Sequence, residues 1–300
     1  MRSEVRRQEW VHRRELGALP LIKAYVWVAL RVGRPLMRLF LYPICLYFML
    51  FAADARKASR AYLARVFGRP ARTREVFQHF LTFAACLLDR AFLLNDQKQW
   101  FAITVHNEDL LQDIEATGGG CMLFGAHFGS FEVARTVGRQ RADLPISLLM
   151  YEENAQKIRE VLGAINPRLA AEVIGLGRLD SLITVADRLQ RGHFIGVLAD
   201  RNVDGRDLAH CPFLGAKAAF PKGPFRVAML LQRPIVLMAS VYRGGGDYEV
   251  YFEQLAPALT QRPPDMEAWI DEVMRRYVQR LEFYCRDAPF NWFNFYDFWL

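Results

Sequence analysis

The chain has no Cys-x-x-Cys pair and no histidine–cysteine cluster at zinc-ligand spacing, which argues against a structural zinc module or a dithiol redox centre. Its five cysteines, Cys45, Cys86, Cys121, Cys211 and Cys285, are odd in number and scattered, so buried, reduced thiols of a cytoplasmic compartment are expected. No Gly-x-Ser-x-Gly elbow occurs, and no phosphate-binding P-loop. The segment GLGRLD (175–180) opens like a dinucleotide motif but lacks its third glycine and reads as a turn. Asn202, Asp204 and Asp207 lack EF-hand spacing, so an acidic turn is expected there and no metal. Internal repeats and low-complexity tracts are absent too.

Charge is missing from one stretch in particular. From Leu39 to Ala53 (LFLYPICLYFMLFAA) there is no charged residue. Fifteen helical residues reach about 22 Å, short of the ~30 Å hydrocarbon core. Arginines at 31, 34 and 38 precede this run, and Arg56, Lys57 and Arg60 follow it. That flanking favours an anionic membrane surface, as a short tilted span or an interfacial helix; a buried core helix is the alternative. The run starts too late for a signal peptide and no small-residue cleavage site follows it. Residues 1–55 are therefore expected to form a membrane-associated helical segment, and residues 56–300 the main domain.

What is present in quantity is apolar and aromatic: 52 % hydrophobic residues, with 22 Phe, 11 Tyr and 6 Trp in 300. Charged residues make up an ordinary 24 %, which excludes a disordered chain. The formal net charge of +7 attracts anionic lipid, acidic proteins or nucleic acid. No recognisable module interleaves basic residues with exposed aromatics, so nucleic acid is not the expected partner.

Residues 55–117 read as helical, entered at Thr73 with Glu75 in the first turn, and the run TGGG (117–120) ends that pattern. Short apolar runs then alternate with helical ones. CMLFGA, SLLM (147–150) and FIGVLA (194–199) read as buried strands. NAQKIREVLGAI (154–165), SLITVADRLQRG (181–192), PKGPFRVAMLLQ (221–232) and residues 265–286 read as helices. PIVLMASVYRGGGDYEVYFEQL reads as a hairpin around a glycine-rich turn. The pattern predicts an α/β fold: an αβα sandwich with a mixed, partly parallel sheet.

One segment carries chemistry: GAHFGSFEVAR (125–135). A buried strand ends at Ala126, so His127 stands just past its carboxyl end, where open α/β sheets bind ligands. Ser130 is a fair cap for the next helix, which puts Glu132 in the first turn, able to fold back against the imidazole. A histidine titrating near neutrality can take the proton of an attacking hydroxyl, and a carboxylate on its second nitrogen would fix the tautomer. A hydrogen-bonded structural histidine gives the same local sequence. His12, His79, His106, His193 and His210 have no partner pattern and read as structural or solvated.

HFGSFE also resembles the His-x4-Asp/Glu signature of the lysophospholipid acyltransferase superfamily. FIGVLADR (194–201), FPKGP (220–224) and RPIVLMA (233–239) resemble its later blocks, in the same order. The basic, apolar N-terminus and PFLG (212–215) look most like the lipid A late acyltransferase branch. Within that resemblance Lys222 stands where glutamate is common, Pro224 where threonine is, and Asp200-Arg201-Asn202 where the branch often has Asp-Gln-Asp. The aromatic ending NWFNFYDFW also departs from the branch; packing against the sheet is expected for it.

The resemblance implies transfer of a fatty-acyl group from an acyl carrier protein or coenzyme A thioester to a hydroxyl of a lipid or lipid-linked acceptor. His127 would be the general base and Glu132 its partner. Arg201, Lys222 and Gly223 would bind substrate, unless Arg201 is held by Asp200 or Asp204 and Lys222 is simply solvated. The acyl thioester would be a co-substrate, with no resident cofactor and no metal. The place would be the inner membrane, with the catalytic domain on its cytoplasmic side. A lipid hydrolase or thioesterase, and a non-catalytic membrane-binding homologue, are the competing readings.

Overall fold

The computed structural model describes residues 18–141, 145–152, 155, 156, 159, 172–176, 179–201 and 207–299. The expected helix at 154–165 lies almost wholly outside these residues, as do Asn202 and Asp204. In chain order the elements are α1 (Ala18–Val32), α2 (Arg34–Phe51), α3 (Ala53–Phe67), α4 (Thr73–Leu94), β1 (Ala102–His106), α5 (Asp109–Ala116), β2 (Met122–Gly125) and α6 (Phe131–Arg141). They continue with β3 (Ile146–Tyr151), β4 (Val173–Leu176), α7 (Leu179–Gln190), β5 (Phe194–Leu198), β6 (Leu208–Phe213) and β7 (Ala216–Pro221). The last are α8 (Gly223–Leu231), β8 (Ile235–Gly244), β9 (Asp247–Ala256) and α9 (Met266–Asp287).

Seven strands form one sheet in the order β1-β9-β8-β2-β5-β3-β4. All neighbouring pairs are parallel except the β8–β9 hairpin, and β6–β7 form a separate antiparallel hairpin. The central strands are buried on both faces, as a parallel sheet between helices requires. Side chains alternate between those faces. Met122 and Phe124 of β2 join the core with Ile195, Leu237 and residues of α3, α8 and α9. Cys121 and Leu123 face the other way, toward Phe194, Val236, Met238 and residues of α2, α4 and α6. The expected αβα sandwich with a mixed, partly parallel sheet is the fold observed, and most of its strand pairs are parallel.

Two elements differ from the sequence reading. Residues 102–106 form an edge strand inside the stretch read as helical, because AITVH pairs in parallel with β9 from Ala102↔Asp247 to His106↔Tyr251. Residues 208–221 form the β6–β7 hairpin, turning at Leu214 and Gly215, both at positive φ. Neither pairing leaves a strong local signal, since the first needs a partner strand about 145 residues away and the second runs through two prolines.

Helix α2 explains the uncharged stretch. Its buried residues, Arg34, Met37, Leu41, Cys45 and Met49, lie three or four apart and so form one narrow stripe. Around the rest of the helix Leu36, Leu39, Phe40, Tyr42, Ile44, Leu46, Tyr47, Phe48, Leu50 and Phe51 are exposed. Two helices, Arg34–Phe51 and Thr73–Leu94, are long and apolar enough to cross a membrane by length and composition. The second is mostly buried in the core and the first is not. Arg34 anchors α2 to the domain. Its Nε and Nη2 donate to buried Asp89 of α4 at 2.7 and 2.9 Å, its Nη1 donates to Gly245 O at 2.7 Å, and Tyr248 OH donates to the same carboxylate at 2.9 Å. A buried ion pair needs such additional hydrogen bonds to offset its desolvation.

Candidate active site

The centre of the sheet brings two chain segments level. Strands β2 and β5 run in parallel with Gly125 opposite Leu198, and Ala199 N donates to Gly125 O at 3.0 Å. Two residues beyond each strand, His127 and Asp200 emerge side by side at the carboxyl end. His127 Nδ1 lies 2.8 Å from Asp200 Oδ1, and the His127 backbone N–H donates to Asp200 Oδ2 at 3.1 Å. The Trp292 indole N–H donates to that second oxygen at 3.0 Å.

Burial by itself would raise the Asp200 carboxyl. The nearby His127 and its hydrogen bond, Arg201 and the Trp292 indole outweigh it, and the group sits at about 2. The carboxylate is therefore ionised at neutral pH and can only accept, so the His127 Nδ1 carries a hydrogen. Asp200 is enclosed, while the His127 side chain is 33 % exposed.

The carboxylate at Nδ1 is thus Asp200, which corrects the expected pairing of His127 with Glu132. Glu132 does lie in the first turn of α6, but that turn faces α4, where Arg90 Nη2 lies 2.8 Å from Glu132 Oε1. The geometric reason is register: adjacent parallel strands of matched length put residues 127 and 200 in one row.

The remaining predicted residues are placed as follows. Arg201 Nη2 donates to Phe293 O at 2.5 Å and its guanidinium lies 5.6 Å from the Tyr296 ring centroid, so the C-terminal segment engages it. Lys222 Nζ lies 2.7 Å from Asp271 and 3.1 Å from Glu267, both on α9. Gly223 opens α8 with free space where a side chain would stand. Among the described residues no hydrogen bond ties Lys222 or Gly223 to His127 or Asp200.

The loop after β2 is sealed by the C-terminal segment. Phe128 and Trp292 form an antiparallel bridge, Gly129 N donates to Asn291 O at 2.9 Å, and Phe293 N donates to His127 O at 2.8 Å. Asn291 is clamped in turn by Tyr242 N, which donates to its Oδ1 at 2.7 Å, and by Tyr242 O, which accepts from its Nδ2 at 3.1 Å. Gly129 has φ 58°, and a Cβ there would stand 1.6 Å from Ser240 O, so only glycine fits. Beneath the segment, His79 Nε2 lies 2.9 Å from Trp292 O and its Nδ1 lies 2.8 Å from Ser59 Oγ. Full burial pushes His79 down to about 4, only partly offset by the Trp292 carbonyl, so the ring is neutral.

Sequence reasoning named Asp200 only as a partner for Arg201, and it did not single out Trp292 or Arg90. Asp200 left a signal that went unread: FIGVL-Ala-Asp matches MLFG-Ala-His in its strand-then-two-residues layout. Trp292 left none, being 92 residues from its partner.

A doubly covered α/β sheet thus carries a histidine–carboxylate pair at the carboxyl end of its central strands, beside a helix, α2, that leaves most of its apolar residues exposed. The chain belongs to the bacterial lipid A biosynthesis acyltransferase family, whose match covers residues 7–300. It is thus an acyltransferase-family chain of lipid biosynthesis. No curated protein sequence matches it.

Proposed function

We propose that this chain transfers a fatty-acyl group from a thioester, on acyl carrier protein or coenzyme A, to a hydroxyl of a lipid or lipid-linked acceptor, with His127 as general base. The observation that carries this reading is the 2.8 Å contact between His127 Nδ1 and Asp200. With Nδ1–H held by a buried carboxylate, Nε2 takes the proton from the acceptor hydroxyl as its oxygen attacks the thioester carbonyl. The C–O bond forms, the tetrahedral intermediate collapses with cleavage of the C–S bond, and the imidazolium returns the proton to the departing thiolate. Asp200 stabilises the imidazolium between those two events. No resident cofactor or metal takes part.

The exposed apolar faces of α1 and α2 support attachment to a membrane. Trp27, Leu39, Phe40, Tyr47 and Phe51 are all more than half exposed, a cluster of large apolar side chains of the kind that marks an interaction surface. Arg31 stacks over Trp27 at 4.2 Å, and exposed Lys57 and Arg60 lie beyond the other end of α2, a pattern suited to anionic headgroups. The inner membrane, with the domain on its cytoplasmic side, is the location proposed, because acyl thioesters are made in the cytoplasm. The net charge of +7 suits an acidic carrier protein as donor.

The test is His127→Ala protein assayed with an acyl thioester and total bacterial lipid by mass spectrometry. Loss of acylated product with vesicle binding intact is expected. Retained transfer refutes the base assignment, and free fatty acid without acylated lipid from the unaltered protein means hydrolysis instead.

A further inference from the structure

We infer that Trp292, contributed by the extreme C-terminal segment, is a positioning residue that acts on the base through Asp200; this rests on the reading of His127 as base. Asp200 Oδ1 meets His127 Nδ1, and Oδ2 is shared by the His127 backbone N–H at 3.1 Å and the Trp292 indole N–H at 3.0 Å. The carboxylate has few ways to rotate without losing one of these bonds. The indole is held as firmly as the carboxylate. Trp292 is fully buried, with Tyr62, Phe213, Phe298 and Trp299 at centroid distances of 5.0, 5.2, 4.9 and 6.1 Å. Its carbonyl takes a hydrogen bond from His79, and the residues on either side of it bond to the loop of residues 127–129.

A donated indole N–H draws negative charge toward Oδ2 and away from the imidazole. Trp292 therefore sets both the direction of the carboxylate and how strongly it favours a protonated ring. The other groups around the pair are Arg201, Tyr277 and Cys285, which interact with the Asp200 charge, and neutral His79 behind Trp292. Arg90 and Glu132 form their own pair on α4 and α6. None of these donates a hydrogen bond to Asp200 Oδ2, so none substitutes for the indole.

Trp292→Phe keeps an aromatic ring in the cage and removes the N–H. The expected result is a roughly tenfold or greater fall in kcat with KM nearly unchanged, and an acidic limb of the pH–rate profile displaced to higher pH, the size of one lost hydrogen bond to a charged group. A merely structural tryptophan would lower thermal stability without moving that limb. Replacing the indole by a benzothienyl side chain, which fills the same space without an N–H, repeats the test where Phe leaves a void. In an Asp200→Asn background Trp292→Phe should add little further loss, because the path runs through the carboxylate. A wild-type rate and unmoved acidic limb in the benzothienyl protein, or full additivity with Asp200→Asn, overturns the inference. If His127→Ala is inactive in the same assay the base reading survives that failure; if His127→Ala is active, the base reading itself falls.

Discussion

His127 and Asp200 meet because two neighbouring parallel strands end in the same row: Gly125 pairs with Leu198, and two residues later an imidazole nitrogen and a carboxylate oxygen are 2.8 Å apart. The chain separation is 73 residues, and what the two share locally is a layout, a buried strand followed by alanine and then the polar residue.

Asp200→Asn tests the pair directly. An amide can donate to Nδ1, which would place the hydrogen on Nε2 and leave the ring unable to accept from the acceptor hydroxyl. A loss of roughly 10²–10⁴ in kcat is expected, with vesicle binding unchanged. Activity within threefold of the unaltered protein would remove Asp200 from the mechanism.

Glu132 and Arg90 give a separate prediction. Glu132 is buried and Arg90 one-third exposed, so Arg90→Met leaves a carboxylate with its 2.8 Å counter-charge gone. Urea unfolding should show a loss of about 1–3 kcal/mol, reduced from the usual buried-pair figure because Arg90 is partly solvated. Adding Glu132→Gln should recover part of it. No recovery in the double variant would mean that the two side chains are not energetically coupled.

His79 makes stability depend on pH. Its folded value, about 4, lies below the 6.5 of an unperturbed histidine, so the unfolded chain binds the extra proton first. The stabilisation is therefore complete above about 6.5, is lost as pH falls toward 4, and changes no further below that. The loss is on the order of 3 kcal/mol. Thermal melts between pH 7 and 4 should show it, and His79→Asn should flatten that part of the curve. An equal slope in the variant would assign the dependence to other groups.

The apolar face of α2 should respond to charge while its buried stripe should not matter for binding. Phe40→Asp and Phe51→Asp, at positions 57 % and 71 % exposed, should each weaken binding to anionic vesicles about tenfold or more and leave melting temperature unchanged. Vesicle sedimentation measures this, and unchanged binding in the double variant would mean that this face does not enter the bilayer.

Gly129→Ala should destabilise the domain by roughly 2–4 kcal/mol, because the new methyl would meet the Ser240 carbonyl and the backbone is in the left-handed region. Chemical unfolding at neutral pH reads this out; a change under 0.5 kcal/mol would mean that the loop relaxes freely.

Much of the molecule is written locally. Helices α7, α8 and α9, strands β2, β3 and β5 and the β8–β9 hairpin follow from apolar period, length and turn glycines, and these are interactions between near neighbours in the chain. The uncharged run at 39–53 likewise announced an unusual helix, and His127 announced itself by its place after a buried strand.

The tertiary structure alone decided which carboxylate serves that histidine, which face of α2 is spared from packing, and that the aromatic ending closes over the site. Each depends on register between strands or on contact between segments tens to hundreds of residues apart. Glu132 was the nearer candidate in sequence, but helix α6 turns it to Arg90, whereas the parallel alignment of β2 and β5 delivers Asp200. Spacing along one chain carries no record of such alignment, because it is set by how the sheet assembles.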